Sequence, residues 1–271
     1  MQHKFITFVG GGNMAQAIVF GLLKRGYPAG NITVCDPSEE KRQLFAEKGV
    51  QVATDNVAAV SSAEVVLLAV KPQVLAEVCA PLSAVDFSDK FVISIAAGIS
   101  LARLNALLPT ARSIVRVMPN TPALVGEGMA GLFAAKNTSE NDRTFAQDLL
   151  SAVGKTLWVD SEEQMHAVTA ASGSSPAYFF QFLEAMQQGL IEMGLSAENA
   201  RELVQQAMLG SAKMVVENPQ VDLATLRQNV TSKGGTTAAA LNVFNQRQFN
   251  DIVQQAMQAC VARSKEMETL F

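Results

Sequence analysis

The sequence is poor in the residues that build metal sites and covalent frameworks. It has two histidines, His3 and His166, and three cysteines, Cys35, Cys79 and Cys260, spaced far apart. An odd number of scattered cysteines gives neither a disulfide framework nor a zinc pattern, so no metal is expected and a reduced, cytoplasmic compartment is. Aromatic residues make up only 6% of the chain, and no block of like charge interrupts a net charge of −4. That balance excludes nucleic acid and anionic membranes as main partners. The longest uncharged stretch, Gln164 to Leu183, contains Ser172-Gly173-Ser174-Ser175-Pro176 and is a poor membrane span. Met1-Gln2-His3-Lys4 leads straight into a strand without the pattern of a signal peptide. No repeat or low-complexity segment stands out.

What the sequence does have is glycine in one telling place. Phe5-Ile6-Thr7-Phe8-Val9 reads as a short strand, and Gln16 to Leu23 has helical periodicity. Between them lies Gly10-Gly11-Gly12-Asn13-Met14-Ala15, the G-x-G-x-x-A spacing of a dinucleotide-binding turn in its required strand–turn–helix context. Gly10 permits the tight turn, Gly12 lets backbone approach a pyrophosphate, and Ala15 lets the helix pack closely on the sheet. The helix start then favours the anion through its free N–H groups and dipole.

Alternation of strand and helix continues. Asn31–Cys35, Val50–Ala53, Val65–Val70, Phe91–Ile95 and Ser113–Val117 read as strands, with helical segments at Gln73–Leu82 and Leu101–Leu107. The run Val65–Val70 is apolar throughout, as a strand buried on both faces should be. Gly131–Ala134 and Thr156–Val159 extend the edge, around a helix near Ser139–Val153. Repeated βα units predict a Rossmann-type, doubly wound α/β sheet over residues 1–160.

Beyond Asp160 the β signal vanishes, and residues 161–271 read as all-α. Ser161-Glu162-Glu163-Gln164 matches a capping box, and Ser175-Pro176 a helix start. The helix Ala177 to Met193 is apolar nearly all round. Such a helix is covered either by a second subunit, which is favoured, or by its own bundle.

Ligands of open α/β sheets sit beyond the carboxyl ends of the strands. Those ends are Ala69-Val70-Lys71-Pro72-Gln73, Ala96-Ala97-Gly98 and Met118-Pro119-Asn120-Thr121-Pro122, whose small residues let a flat ring lie on backbone. Lys71 either contacts a ligand or is solvated. Asp36, after the second strand, either binds the adenine ribose hydroxyls or caps the helix that opens with Pro37-Ser38-Glu39. Ser38, Lys41 and Arg42 offer a place for a 2′-phosphate, so the residues leave NAD against NADP open. Val230-Thr231-Ser232-Lys233-Gly234-Gly235-Thr236-Thr237 precedes another helix and reads either as a carboxylate site or as a plain Gly-rich turn.

Taken together with Ser94-Ile95-Ala96-Ala97-Gly98 and Ser172 to Tyr178, these motifs resemble pyrroline-5-carboxylate reductase, in order and over nearly the whole chain. The resemblance implies reduction of L-1-pyrroline-5-carboxylate to L-proline, the last step of proline biosynthesis. The cofactor implied is NADPH, with NAD(H) tolerated. It also implies a Rossmann domain, an α-helical dimerisation domain, and a homodimer that often assembles into decamers. By motif, Gly10, Gly11, Gly12, Asn13, Met14, Ala15, Asp36, Asn56, Ala69, Val70, Lys71, Pro72, Ala96, Ala97 and Gly98 fall to cofactor. Ser232, Gly235, Thr236 and Thr237 fall to substrate, with the Thr237 hydroxyl directed at the ring nitrogen as the catalytic group. The chain departs from the family at Lys233, commonly proline, and at Asp36, often non-acidic in members that prefer NADPH. Two rivals are a β-hydroxyacid-dehydrogenase-like enzyme and a catalytically silent dinucleotide sensor. The first lacks its lysine after Ser172-Gly173-Ser174-Ser175, and the second has no use for a Gly-Gly-Thr-Thr loop.

Overall fold

A computed structural model describes residues 2–270. The chain divides into two compact units, one of residues 1–176 together with 259–271, the other of 177–258. The break between units thus lies past the change from strands to helices near residue 160, and the end of the chain returns to the first unit.

The first unit is built on eight strands: β1 (Ile6–Val9), β2 (Ile32–Cys35), β3 (Gln51–Ala53), β4 (Val65–Leu68), β5 (Phe91–Ser94), β6 (Ser113–Met118), β7 (Gly128–Ala134) and β8 (Gly154–Trp158). Their order is β3-β2-β1-β4-β5-β6-β7-β8. The strands from β3 to β6 are parallel, and β7 turns antiparallel to β6 with β8 parallel to it. Strand order reverses between β1 and β4, which opens a crevice at their carboxyl ends.

Helices α1 (Asn13–Lys24), α2 (Glu39–Ala46), α3 (Asn56–Ser61), α4 (Pro72–Cys79), α5 (Leu101–Leu107) and α6 (Glu140–Ser151) connect these strands. Side-chain alternation sorts the core into two layers. Val65 and Leu67 of β4, with Ile93 of β5, join α1 and α6 on one face, whereas Val66, Leu68 and Val92 join α4 and α5 on the other. All are buried, which is why β4 reads as a continuous apolar run. Ala15 is fully buried, as close packing of α1 on the sheet requires.

Two features differ from the local reading. Helix α2 is capped by Ser38, whose hydroxyl accepts from the Lys41 N–H, and not by Asp36. The Ser172–Ser175 stretch is not an open turn. Helix α7 (Gln164–Val168) runs on as a π-helical turn, Thr169–Gly173, that bends at Ser174 into α8 (Ser175–Glu192). This turn packs on the end of β6: the Met118 side chain fills the space a Cβ at Gly173 would need, and Asn120 donates to the Ser172 carbonyl. The reach-back half of the expected capping box is present, since the Gln164 side chain accepts from the N–H groups of Asp160 and Ser161.

The second unit contains most of α8, then α9 (Ala197–Glu217), α10 (Leu223–Asn229), α11 (Thr236–Gln246) and the start of α12 (Phe249–Leu270). Ser196 and Asp222 cap α9 and α10. Phe182, Phe244 and Phe249 cluster with ring centroids 5.3–6.4 Å apart. Only Ala200 and Val204 of this unit are buried, and Phe180, Met193 and Leu223 are 64%, 78% and 67% exposed. Among the described residues, no helix is long and apolar enough to cross a membrane.

Candidate active site

The crevice of the first unit gathers the cofactor candidates. Gly10 has φ +108°, and a Cβ there would lie 2.6 Å from the Ala69 carbonyl oxygen, so only glycine fits the turn beside the end of β4. Its N–H donates to the Cys35 carbonyl, and the Ala69 N–H donates to the Val9 carbonyl. The ends of β1, β2 and β4 are therefore bonded into one backbone platform. Gly12 is the N-cap of α1, has no side chain to satisfy the first N–H groups, and has nothing within 4 Å of where a Cβ would project. An uncapped helix start facing open space is the cradle a pyrophosphate needs. The residues present therefore fit a dinucleotide.

Asp36 closes one side of this cradle. Its carboxylate accepts from the Gly11 N–H and the Ser38 N–H, both at 2.9 Å, and lies 3.4 Å from the Lys41 ammonium. Burial works to raise its pKa, but those two N–H groups and Lys41 outweigh it and hold the carboxyl below its ordinary value. Arg42 donates to the Asp36 and Pro37 carbonyls. One acid thus ties the glycine turn to the start of α2, with two cations beside it.

The remaining candidates of this unit line the same edge of the sheet. Asn56 opens α3 after the Asp55 cap, half-buried. Lys71 is the exposed N-cap of α4, with Pro72 at its first position. Ala96, Ala97 and Gly98 follow β5, and Gly98 has φ +69°.

The substrate candidates lie in the second unit and share one turn. Gly235, and neither threonine, is the N-cap of α11, with no side-chain cap, so the helix begins at Thr236 and its first N–H groups are left uncapped by side chains. The Gly235 N–H donates to the Ser232 carbonyl, and the Ser232 hydroxyl sits where a Cβ at Gly235 would stand. Ser232, Thr236 and Thr237 are exposed. Chemically, a helix start without a side-chain cap and with three hydroxyls near it can receive an anion.

The local reading passed over Arg116. It is buried in β6, where its guanidinium pairs with Glu162 and, at 3.0 Å, with Glu268. The signal available was a lone charge inside the apolar strand Ser113–Met118. Its partners were beyond reach, since they lie 46 and 152 residues away. Among the described residues, no group of three or more His, Cys, Asp or Glu is placed to hold a metal ion.

Comparison with known proteins identifies the family of the chain. Residues 162–267 match the family model described as pyrroline-5-carboxylate reductase dimerisation, and residues 5–98 match that described as NADP oxidoreductase coenzyme F420-dependent. A pyrroline-5-carboxylate reductase from Haemophilus influenzae is 72% identical over the full length of both chains. Among solved structures, a pyrroline-5-carboxylate reductase from Coxiella burnetii is 40% identical, with a TM-score of 0.91 over 98% of this chain and 99% of that one. A Plasmodium falciparum pyrroline carboxylate reductase with NADP bound is 29% identical, with a TM-score of 0.87 over 99% of each chain. The eight-stranded Rossmann-type sheet, the helical segment that follows it and identity along the whole of both chains place this protein in the pyrroline-5-carboxylate reductase family.

Proposed function

We propose that the protein reduces L-1-pyrroline-5-carboxylate to L-proline, with NADPH preferred over NADH. The observation that carries the reading is full-length likeness to pyrroline-5-carboxylate reductases, which spans both the dinucleotide cradle and the Ser232–Thr237 turn. When bound, the reduced nicotinamide supplies a hydride, which the ring carbon of the cyclic imine accepts while its nitrogen carries a proton.

The chain's task in this reading is to bind and orient. The start of α1 at Gly12 holds the pyrophosphate. Asn56, Lys71 and the small-residue turns Ala69–Pro72 and Ala96–Gly98 hold the rest of the cofactor. The uncapped N–H groups after Gly235 hold the substrate carboxylate, with Ser232 assisting, and the Thr237 hydroxyl meets the ring nitrogen. A protonated imine is already electrophilic, so orientation and exclusion of water supply much of the rate. Preference for NADPH is supported by Lys41 and Arg42, which offset the Asp36 charge at the edge of the cradle.

Residues 1–160 act as the dinucleotide domain and 161–271 as the dimerisation and substrate domain, in a homodimer. The exposed apolar side chains of α8 support a second copy as its cover. Oxidation of a β-hydroxyacid is disfavoured, because α8 contains no lysine to take an alcohol proton.

Steady-state turnover of pyrroline-5-carboxylate with each reduced cofactor tests the reading. We expect proline to form, with the higher kcat/KM for NADPH. A higher value for NADH would make Asp36 a ribose ligand, and absence of proline with either cofactor would refute the function.

A further inference from the structure

An ionic cluster around the buried Arg116 adjoins the end of β5. Ser94, the last residue of β5, pairs in register with Arg116 of β6. Alternation along both strands places the two side chains on the same face as Val92 and Ile114, in the α4–α5 layer. Arg116 is 7% exposed and needs anionic partners, since an unpaired buried charge is strongly destabilising. It has two, Glu162 from the turn before α7 and Glu268 from the end of α12.

Glu162 touches the segment after β5 directly, and Glu268 adjoins it through its sequence neighbour. The carboxylate of Glu162 accepts from the Leu101 N–H at 2.6 Å, at the first position of α5. Beside Glu268 in sequence, Met267 packs on Gly98, its Cβ 2.7 Å from where a Gly98 Cβ would be. Glu268 also lies 3.7 Å from Nε2 of buried His166, whose Nδ1 is 2.9 Å from the Ser264 hydroxyl. The last turns of α12 are thereby fixed to the first unit at Arg116, His166 and Gly98, all buried or against backbone.

We propose that Arg116, Glu162, Met267 and Glu268 form a latch that sets the position of the Ala96–Leu101 segment, making the C-terminal end of α12 a positioning element for the part of the cofactor that the Ala96–Gly98 turn holds. This rests on the functional reading above for its kinetic consequence only. The segment carries a positive-φ glycine and has no regular structure from Ile95 to Ser100, so its position is set by what packs on it. Glu162 holds its far end by a charge-assisted bond, Met267 presses on its middle, and Arg116 ties Glu162 and Glu268, the residue after Met267, to the sheet.

Two variants test the latch, Glu268→Gln, which keeps shape and removes charge, and Met267→Ala, which leaves the charges intact. Glu266→Gln serves as a control, since its pair with Arg263 is exposed. In cofactor-free protein, amide exchange of Ile99–Leu101 should quicken roughly tenfold in both test variants and stay unchanged in the control. In turnover, kcat should fall on the order of tenfold, with KM for the imine held within about twofold, because misplacement of a reacting group is costly while the substrate site is untouched. Unchanged exchange in Met267→Ala, together with kcat within about twofold of wild type, would overturn the latch, even if Glu268→Gln failed to fold. If wild type formed no proline yet exchange responded as expected, the functional reading would fail and the latch would stand.

Discussion

The two compact units of this chain solve the same problem differently. The first covers both faces of its sheet with its own helices, and β1, β4 and β5 are buried from end to end. The second leaves Phe179, Phe180, Met193 and Leu209 in the open and fully buries only Ala200 and Val204. Folding of a single chain buries enough apolar surface to account for the first unit. It does not account for the second, whose helices have apolar faces without a cover. One unit is complete as a single chain, and the other is written for a partner.

The sharpest way to probe the complete unit is at Gly10. Gly10→Ala forces a Cβ against the Ala69 carbonyl at a φ that side chains avoid. We expect a loss of about 2–4 kcal/mol of stability and failure of dinucleotide binding, read by thermal melting and NADPH titration. Retained affinity would mean that the β1–β4 platform is looser than its hydrogen bonds indicate.

The contrasting probe lies in the second unit. Because Gly235 holds the N-cap of α11, Thr237→Ala removes no cap, and stability should stay within roughly 0.5 kcal/mol. Loss of the hydroxyl from the ring nitrogen should instead lower kcat/KM about tenfold to a hundredfold, with NADPH affinity kept. Near-normal turnover would move the substrate site away from this turn.

The same contrast explains what the sequence made legible. The glycine turn, the buried parallel strands and the uncapped loop before α11 depend on neighbours in sequence, and their signals are local. The cap of α2 was less legible, because Asp36 and Ser38 are both good cap residues and the choice was made by the Gly11 N–H, which draws Asp36 inward. The π-helical turn at Thr169–Gly173 packs on Met118, some fifty residues earlier, a contact no local pattern shows. Arg116 announced itself as a charge in an apolar strand, but the identity of Glu162 and Glu268 as its partners required the fold.

In the proposed homodimer a second copy of the chain covers the apolar faces of the helical unit. Light scattering coupled to size exclusion, carried down to the dilute range in which turnover is assayed, tests it most directly. The expected mass is twice that of the 28.9 kDa chain or another even multiple of it, with activity lost wherever the assembly dissociates. A stable, fully active monomer would contradict it.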